Sequence, residues 1–173
     1  MQTLFAEWCN AYLVILNYVK IFILLYLYFI MKKSLNLNFF HNSKFDLYIK
    51  ESCLRDAGLG IFTRDFIPSN TFIDYYEGDL TTCLIGGTYF FQINDEYGID
   101  AFNFPRCYMA MLNDTDYKPI IKHKKKKIII ENNYINNCYF KIDEKNLKVI
   151  VYSKIDIDKD SELFISYGQD YWK

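Results

Sequence analysis

Two glycines in a short loop are the first residues whose type and spacing could serve chemistry. Residues 56–62 read DAGLGIF, so Gly58 and Gly60 flank a single leucine, Leu59. Because glycine has no Cβ, such a loop lets the backbone approach a bound molecule and offer it N–H and C=O groups. A G-x-G pair more often marks a tight turn, and the third glycine of a dinucleotide site is missing here. The pair therefore identifies a candidate ligand loop without naming the ligand.

Polar and aromatic residues that could complete such a site lie in the middle and at the end of the chain. Asn113 and Asp114 follow an apolar run, and the last residues include Tyr167, Tyr171 and Trp172. Aromatic residues at a strand end usually only pack against their neighbours. Their significance depends on whether the order of all these clusters matches a known arrangement.

The order of the clusters resembles that of the SET domain. Seven features are shared. The first four are a G-x-G loop (58–62), a strand that ends in Y-x-G and an acidic residue (71–79), a Y-x-F motif (89–91) and an I-D-A motif (99–101). The other three are an asparagine after an apolar run (109–114), an N-C pair (137–138) and a tail rich in aromatic residues (153–172). The tail is very similar to that of the small stand-alone SET proteins of large DNA viruses. Seven elements in the family's order argue against coincidence.

The resemblance implies a protein-lysine methyltransferase that uses S-adenosylmethionine. Tyr167 would be the catalytic residue, with its hydroxyl beside the transferring methyl group. The implied cofactor-binding residues are Gly58, Leu59, Gly60, Phe62, Asn113, Asp114 and Tyr167. The implied walls of the channel for the substrate lysine are Tyr76, Ile165, Tyr171 and Trp172.

The implied reaction is the in-line transfer of a methyl group from a sulfonium to a neutral lysine amine, which needs no metal. Its catalysis comes largely from orientation and electrostatics. Lysine has a pKa of about 10.4 in water, and an apolar aromatic channel ending at a sulfonium disfavours the ammonium form. The family tends to have Tyr or Phe where Ile165 stands. An aliphatic side chain there predicts products beyond monomethyl-lysine, because it cannot order a water in the channel.

Two departures from the family pattern keep other functions open. Asp114 stands where the family has histidine, and Asn137 with Cys138 arrives only after an insertion at 115–135. Loop-closure entropy grows slowly with length, so the insertion is tolerable if both of its flanks dock. A SET-like binding module with weak or no catalysis, or a membrane-anchored interaction protein, is therefore the alternative.

Composition and patterning indicate one mostly β domain. Of the 173 residues 51% are hydrophobic and 19% aromatic, in short runs separated by Gly, Asn, Asp and Pro. We expect the SET fold over residues 44–173, with several small sheets and a C-terminal pseudoknot. The predicted strands are 46–50, 60–63, 71–76, 98–101, 138–142, 148–153 and 163–167. The five cysteines lack zinc-ligand spacing, so no metal site is predicted, and the net charge of −1 gives no general field for nucleic acid.

The N-terminal segment, residues 1–33, is predicted to contain a hydrophobic helix. Residues 11–31 read AYLVILNYVKIFILLYLYFIM, which is long enough to span a bilayer, although Lys20 costs roughly 2.5–3.5 kcal/mol on insertion. As a membrane anchor it would leave the SET domain on the cytoplasmic side, held by Lys32 and Lys33. If the chain starts at Met31 instead, the segment is an untranslated extension, and the protein is intracellular, in a host nucleus or cytoplasm. A buried helix is a further alternative.

Residues 118–127 read KPIIKHKKKK and form a basic surface insertion. A solvated loop or hairpin tip is the simpler interpretation, because charge runs are usually solvated faces. The functional interpretation is an electrostatic contact between Lys124–Lys127 and nucleic acid. The other expected partners are a lysine-containing protein or peptide, with a histone favoured by family analogy, a membrane through 11–31, and a second copy of the chain as a homodimer.

Overall fold

A computed structural model describes residues 19–23, 26, 38–82, 86–118, 120–123, 126–129, 131–169 and 171–172. The chain divides into two compact units, Met1–Asn38 and Phe39–Lys173. In the first unit, residues 19–23 and residue 26 are helical, and most of the predicted hydrophobic helix at 11–31 lies outside the described residues. Among the residues that the structure does describe, none of the helical segments has the length and hydropathy needed to cross a membrane.

The second unit is built almost entirely from short strands and begins at Phe39, upstream of the predicted boundary at residue 44. A 3₁₀ helix at Tyr108–Met111 is its only helical element within the described residues. The strands are β1 (Phe39–Phe40), β2 (Leu47–Glu51), β3 (Leu59–Thr63), β4 (Phe72–Tyr76), β5 (Asp79–Thr81), β6 (Phe90–Gln92), β7 (Gly98–Asp100), β8 (Arg106–Cys107), β9 (Ile120–His123), β10 (Lys126–Ile129), β11 (Cys138–Asp143) and β12 (Lys148–Ser153).

These strands form small separate sheets, as the sequence predicted. β12 lies between β11 and β4 in an antiparallel sheet, and β7 lies between β5 and β6 in another. β2 pairs antiparallel with β3, whereas β1 pairs parallel with β8. Within the described part of the basic insertion, β9 and β10 pair only with each other, in an antiparallel hairpin. The described residues of 120–129 therefore form a short two-stranded hairpin, and the two interpretations of the basic insertion stay predictions.

The alternation of side chains in β12 shows how the core is assembled. Val149, Val151 and Ser153 are fully buried, while the residues between them are partly exposed. Successive side chains of a strand point to opposite faces, so one face of β12 covers the interior. Ile73 of β4 and Ile61 of β3 are equally buried and belong to the same cluster. The core thus lies under the small sheets and is shared between them.

The predicted strands before residue 160 are confirmed to within one residue at each end. The predicted turn around Asn146 is also confirmed, because Asp143 pairs with Lys148 across a hairpin. The predicted strand at 163–167 is wrong. There the chain forms only isolated bridges, which pair Glu162 with Phe62 and Phe164 with Asn113.

Successive residues of this C-terminal segment bond to different parts of the domain, which prevents a continuous ladder. Leu163 donates its N–H to the carbonyl of Ile61 (2.8 Å), and Ile165 donates to the carbonyl of Asn113 (2.9 Å). Between them, the carbonyl of Phe164 accepts a hydrogen bond from Cys138 (2.8 Å). The segment is extended like a strand, but it is held by three partners in turn.

Leu163→Ala should destabilise the domain by about 2–5 kcal/mol, because the side chain is fully buried where the C-terminal segment meets the core. Urea unfolding followed by far-UV circular dichroism measures this change. The matched control is Leu80→Ala, since Leu80 is 53% exposed and should change stability by less than about 0.5 kcal/mol. Equal losses in the two variants would contradict this description of the core.

Candidate active site

A cavity of about 580 Å³ lies where the ligand loop, the 3₁₀ helix and the C-terminal segment meet. Its volume falls in the range of pockets that bind small molecules and cofactors. Its walls include both backbone from these segments and a set of aromatic side chains. The lining residues are Ala57, Gly58, Leu59, Tyr76, Thr88, Tyr89, Phe90, Phe91, Met109, Ala110, Met111, Leu112, Asn113, Phe140, Ser166, Tyr167, Gly168 and Tyr171.

The two glycines of the ligand loop are needed for different reasons. Gly58 has φ of +80°, a conformation that L side chains rarely adopt, and its carbonyl accepts a hydrogen bond from Ser52 N–H (2.8 Å). At Gly60 a Cβ would collide with the carboxylate of Glu162 and approach the amide of Asn113 to 3.2 Å. The first glycine shapes the loop, and the second lets it lie against the groups beneath.

Glu162 is the buried group that ties the ligand loop to the C-terminal segment. Its side chain is 4% exposed. One carboxylate oxygen accepts hydrogen bonds from Ser52 Oγ (2.7 Å) and Asn113 Nδ2 (3.2 Å), and the other accepts from Cys53 N–H (2.6 Å). These donors compensate the desolvation of the carboxylate. Asn113 Nδ2 also donates to the carbonyl of Leu59 (3.0 Å), which fixes the asparagine against the loop.

Tyr167 projects into the cavity from the end of the C-terminal segment. Its hydroxyl donates a hydrogen bond to the carbonyl of Leu112 (2.5 Å), and its backbone N–H donates to Asp114 Oδ2 (2.8 Å). Although 37% of the residue surface is exposed, the partner of its hydroxyl, Leu112, is buried. Burial, followed by Tyr171 and Asp114, raises the pKa of Tyr167 well above its ordinary value. The phenol therefore stays protonated at neutral pH and acts as a donor.

An aromatic wall, formed by Tyr76, Phe91 and Phe140, bounds another part of the cavity. The rings of Phe91 and Phe140 meet edge to face with centroids 4.6 Å apart, and Tyr76 lies 5.7 Å from Phe91. The hydroxyl of Tyr76 donates to the carbonyl of Tyr89 (2.6 Å), so it presents an uncharged ring to the cavity. Such rings bind apolar stems and attract cations at their faces.

Arg106 places a buried positive charge against Tyr89, another residue that lines the cavity. Its guanidinium carbon lies 3.5 Å from the ring centroid of Tyr89, and the group donates to the carbonyls of Ala101 (2.8 Å) and Phe102 (2.6 Å). The residue is 6% exposed and makes no ion pair within the described part of the chain. The cation is thus held by carbonyl dipoles and a ring, close to the cavity.

The cavity brings together some of the residues predicted for the site and leaves others out of its lining. Gly58, Leu59, Asn113, Tyr167, Tyr76 and Tyr171 line it. Gly60 does not line the cavity, because it packs against Glu162. Phe62 is buried, with its ring stacked on that of Tyr48 (5.6 Å). Asp114 and Trp172 lie behind Tyr167.

Ile165 does not line the cavity either, which removes the premise of the prediction about multiple methylation. That prediction assumed that Ile165 and Tyr167 share one face of a strand. In the structure the segment is not a strand, and Ile165 is 1% exposed within the hydrophobic core. By contrast, Tyr89, Phe90 and Met111 are among the residues that line the cavity.

Several residues of the site were missed by sequence reasoning. Tyr89 and Phe91 were noted as part of a motif without a role, whereas Phe140 and Arg106 gave no signal. Glu162 was noted only as part of the tail, because its close approach to Gly60 is visible only in the folded chain. Among the described residues, no group of three or more His, Cys, Asp or Glu side chains could hold a metal ion.

The family model of the SET domain matches residues 58–168, more than half of the chain. The chain belongs to the SET domain family. The match begins at the ligand loop and ends just after Tyr167. The SET domain therefore contains both the ligand loop and Tyr167, which line the cavity. No curated protein sequence matches the chain.

Solved structures confirm the fold of this SET domain. Crystal structures of KRYPTONITE, one with mCHG DNA and S-adenosylhomocysteine (SAH) and one with mCHH DNA, an H3(1–15) peptide and SAH, are both 18% identical. Their TM-scores are 0.54 and 0.53, and the matches cover 73% of this chain but only 24% of KRYPTONITE. A Plasmodium falciparum protein, solved as a candidate histone methyltransferase, is 25% identical with a TM-score of 0.50; the match covers 73% of this chain and 96% of that one.

The stability of the SET domain should fall in alkaline solution. Burial raises the pKa of Cys107 to about 11, and raises those of Cys138 and Tyr76 further above the ordinary values of 9.0 for a thiol and 10.0 for a phenol. These groups stay neutral in the folded chain while they ionise in the unfolded one. Their stabilising contribution is complete below the unfolded pKa and is lost as the pH rises toward the folded pKa.

Urea unfolding should therefore give a smaller free energy at about pH 10.5 than at about pH 8. Cys138→Ala is the control, because it removes one ionising group and should lose less stability over the same interval. A free energy of unfolding that is independent of pH in this interval would contradict the burial of these groups.

Proposed function

We propose that the protein is a protein-lysine N-methyltransferase that transfers a methyl group from S-adenosylmethionine to a lysine side chain. The observation that carries the proposal is that the ligand loop, Asn113, Tyr167 and an aromatic wall all line the same cavity. Such a cavity can hold a sulfonium cofactor and a lysine stem together. The membership of the SET family supports the same cofactor, and SAH in the KRYPTONITE crystals is the product that S-adenosylmethionine leaves after transfer.

The cofactor would bind against the ligand loop and Asn113. The backbone at Gly58 and Leu59 faces the cavity and offers hydrogen-bonding groups to the methionine part. Asn113 is held by Leu59 and Glu162, so its position is set before the cofactor arrives. A site that is ordered in advance loses less conformational entropy on binding.

The substrate lysine would enter along the aromatic wall and react as a neutral amine. The rings of Tyr76, Phe91 and Phe140 offer no carboxylate to stabilise an ammonium group. The buried guanidinium of Arg106 lies against Tyr89, and the sulfonium of a bound cofactor would add a second positive charge. Both charges would further lower the pKa of the lysine. The proton therefore leaves to solvent before transfer, and the lone pair of the amine attacks the methyl carbon as its bond to sulfur breaks.

Tyr167 would align this attack rather than remove the proton. Its raised pKa keeps the hydroxyl protonated, and the bond to the carbonyl of Leu112 fixes its direction. Carbonyl oxygens near the methyl group add weak C–H···O contacts. Catalysis then rests on orientation, which can contribute several kcal/mol to lowering the barrier, up to roughly 7–11.

The finer features of the family likeness are part of the same proposal. The hydrogen bonds of the segment 161–165 to three different parts of the domain support a C-terminal pseudoknot. The tail sequence at 165–172 supports the stand-alone viral subtype. We also propose a histone as the first substrate to test, since one KRYPTONITE crystal holds a histone H3 peptide, although that chain is about four times as long as the match.

Transfer of tritiated methyl groups to core histones and to a cell extract tests the proposed function. The expected result is a labelled protein band whose lysines carry the label, with SAH formed in equal amount. Binding of SAH in calorimetry without transfer to any protein would instead favour a SET-like binding module.

Tyr167→Phe should lower kcat on the order of 100-fold while the protein stays folded, because only the aligning hydroxyl is lost and the ring remains. Stopped-time assays at saturating cofactor, with circular dichroism for folding, measure the two effects. Tyr48→Phe is the matched control, since the hydroxyl of Tyr48 bonds Asp160 (3.3 Å) away from the cavity. Equal kcat values for Tyr167→Phe and the wild type would remove Tyr167 from the mechanism.

Replacing Lys124–Lys127 by serine should leave activity on a short peptide unchanged and lower activity on nucleosomes, if the hairpin of β9 and β10 contacts DNA. The difference should shrink at high salt, because counterions weaken contacts with phosphate. A variant with Lys141, Lys145, Lys148 and Lys154 replaced by serine has the same net charge and should retain more nucleosome activity. Equal nucleosome activity in the wild type and the hairpin variant would leave the hairpin without this role.

A further inference from the structure

The carboxylate of Asp114 has an unusually complete set of donors for a residue outside the cavity lining. The residue is 1% exposed. Oδ1 accepts hydrogen bonds from Asp116 N–H (2.9 Å) and Asn136 Nδ2 (3.1 Å), while Oδ2 accepts from Tyr167 N–H (2.8 Å) and Trp172 Nε1 (3.0 Å). Hydrogen bonds to an ionised acceptor are about twice as strong as neutral ones. A buried carboxylate with four donors is thus both stable and strongly directing.

The donors come from three segments of the chain, so the carboxylate joins them. Asp116 belongs to the start of the basic insertion, Asn136 follows its end, and the other two donors belong to the C-terminal tail. Tyr167 and Trp172 converge on one oxygen atom and stack face to face, with ring centroids 5.8 Å apart. The carboxylate of Asp114 therefore connects the two ends of the insertion and also binds the C-terminal tail.

Tyr167 is therefore held at both ends by one short segment, residues 112–114. Asp114 binds its backbone N–H, and Leu112, two residues earlier, accepts its hydroxyl. The segment that carries Asn113 thus fixes the direction of the Tyr167 side chain. A shift of the backbone at Tyr167 would move the hydroxyl relative to the cavity.

Only an acidic side chain at position 114 makes this contact possible. A neutral histidine, which the family resemblance places here, has one ring nitrogen that can accept a hydrogen bond, whereas a carboxylate has two oxygens and about four acceptor positions. The aspartate therefore accepts four hydrogen bonds at this position, which a neutral histidine could not do.

We propose that Asp114 is a positioning residue that holds Tyr167 and the aromatic tail over the cavity. The catalytic consequence rests on the proposed function, whereas the attachment of the tail does not. Asp114→Ala is the informative variant, because it removes both acceptor oxygens. All four hydrogen bonds, including those of Tyr167 N–H and Trp172 Nε1, are then lost.

The attachment itself is tested without any reaction. The chain has two tryptophans, so a Trp8→Phe background leaves one indole signal for Trp172 in NMR spectra. The indole proton should exchange slowly with solvent in this background and at least about tenfold faster after Asp114→Ala. Asp74→Ala is the matched control, because Asp74 is 2% exposed and accepts N–H groups from Asn42 (2.7 Å) and Tyr75 (2.8 Å), away from the tail. Equal exchange rates in the Asp114→Ala and Asp74→Ala variants would overturn the attachment.

The positioning role is tested by a double-mutant cycle with Tyr167→Phe. If Asp114 acts by placing the Tyr167 hydroxyl, Asp114→Ala should lower kcat at least about tenfold in the wild type and less than about twofold in the Tyr167→Phe background. An equal factor in both backgrounds would mean a general structural effect and would overturn the positioning role. If the wild type transfers no methyl group at all, the proposed function fails, while the indole measurement still decides whether Asp114 holds the tail.

Discussion

The backbone of residues 161–165 bonds to three separate segments, and the rest of the site depends on this crossing. Ser161 and Leu163 are linked to β3, Phe164 to the start of β11, and Ile165 to Asn113. No two of these segments are neighbours in sequence, so the C-terminal segment is the piece that brings them together. Because the ligand loop leads into β3 and Tyr167 follows Ile165, the same crossing places the candidate cofactor loop beside the candidate catalytic hydroxyl.

Two buried carboxylates fix the crossing at its ends. Glu162 draws Ser52, Cys53 and Asn113 together at the start of the segment, and Asp114 draws in Tyr167 and Trp172 at its end. Each charge is compensated by N–H and O–H donors, with no ion pair to either residue among the described residues. Because several donors must be in place at once, loss of one contact leaves a buried acceptor undersatisfied, which costs about 1–3 kcal/mol. The arrangement therefore favours one geometry of the site over looser ones.

The sequence predicted six of the strands up to residue 153, namely β2, β3, β4, β7, β11 and β12, because their period-2 patterns and turn residues are local signals. It did not predict the other six strands, β1, β5, β6, β8, β9 and β10. It also predicted the members of the cavity that belong to recognisable motifs, namely Gly58, Asn113, Tyr76 and Tyr167. It failed for the strand at 163–167 and for the role of Ile165, since hydrogen bonds to three distant partners leave no local pattern. Arg106 and Phe140 were missed for the same reason, because only the fold places them beside Tyr89 and Tyr76. The sequence presented Asp114 as a departure from a motif. Its four donors are spread along the chain from Asp116 to Trp172, so no spacing rule could have connected them.

The central claim is that one cavity holds the cofactor and the substrate lysine with Tyr167 between them. A crystal structure of the protein with SAH and a lysine-containing histone peptide tests it most directly. The account predicts the homocysteine part against Gly58 and Asn113, the lysine stem against Tyr76 and Phe140, and the Tyr167 hydroxyl between the sulfur and the amine. SAH bound outside this cavity, or a lysine that lies away from the aromatic wall, would contradict the account.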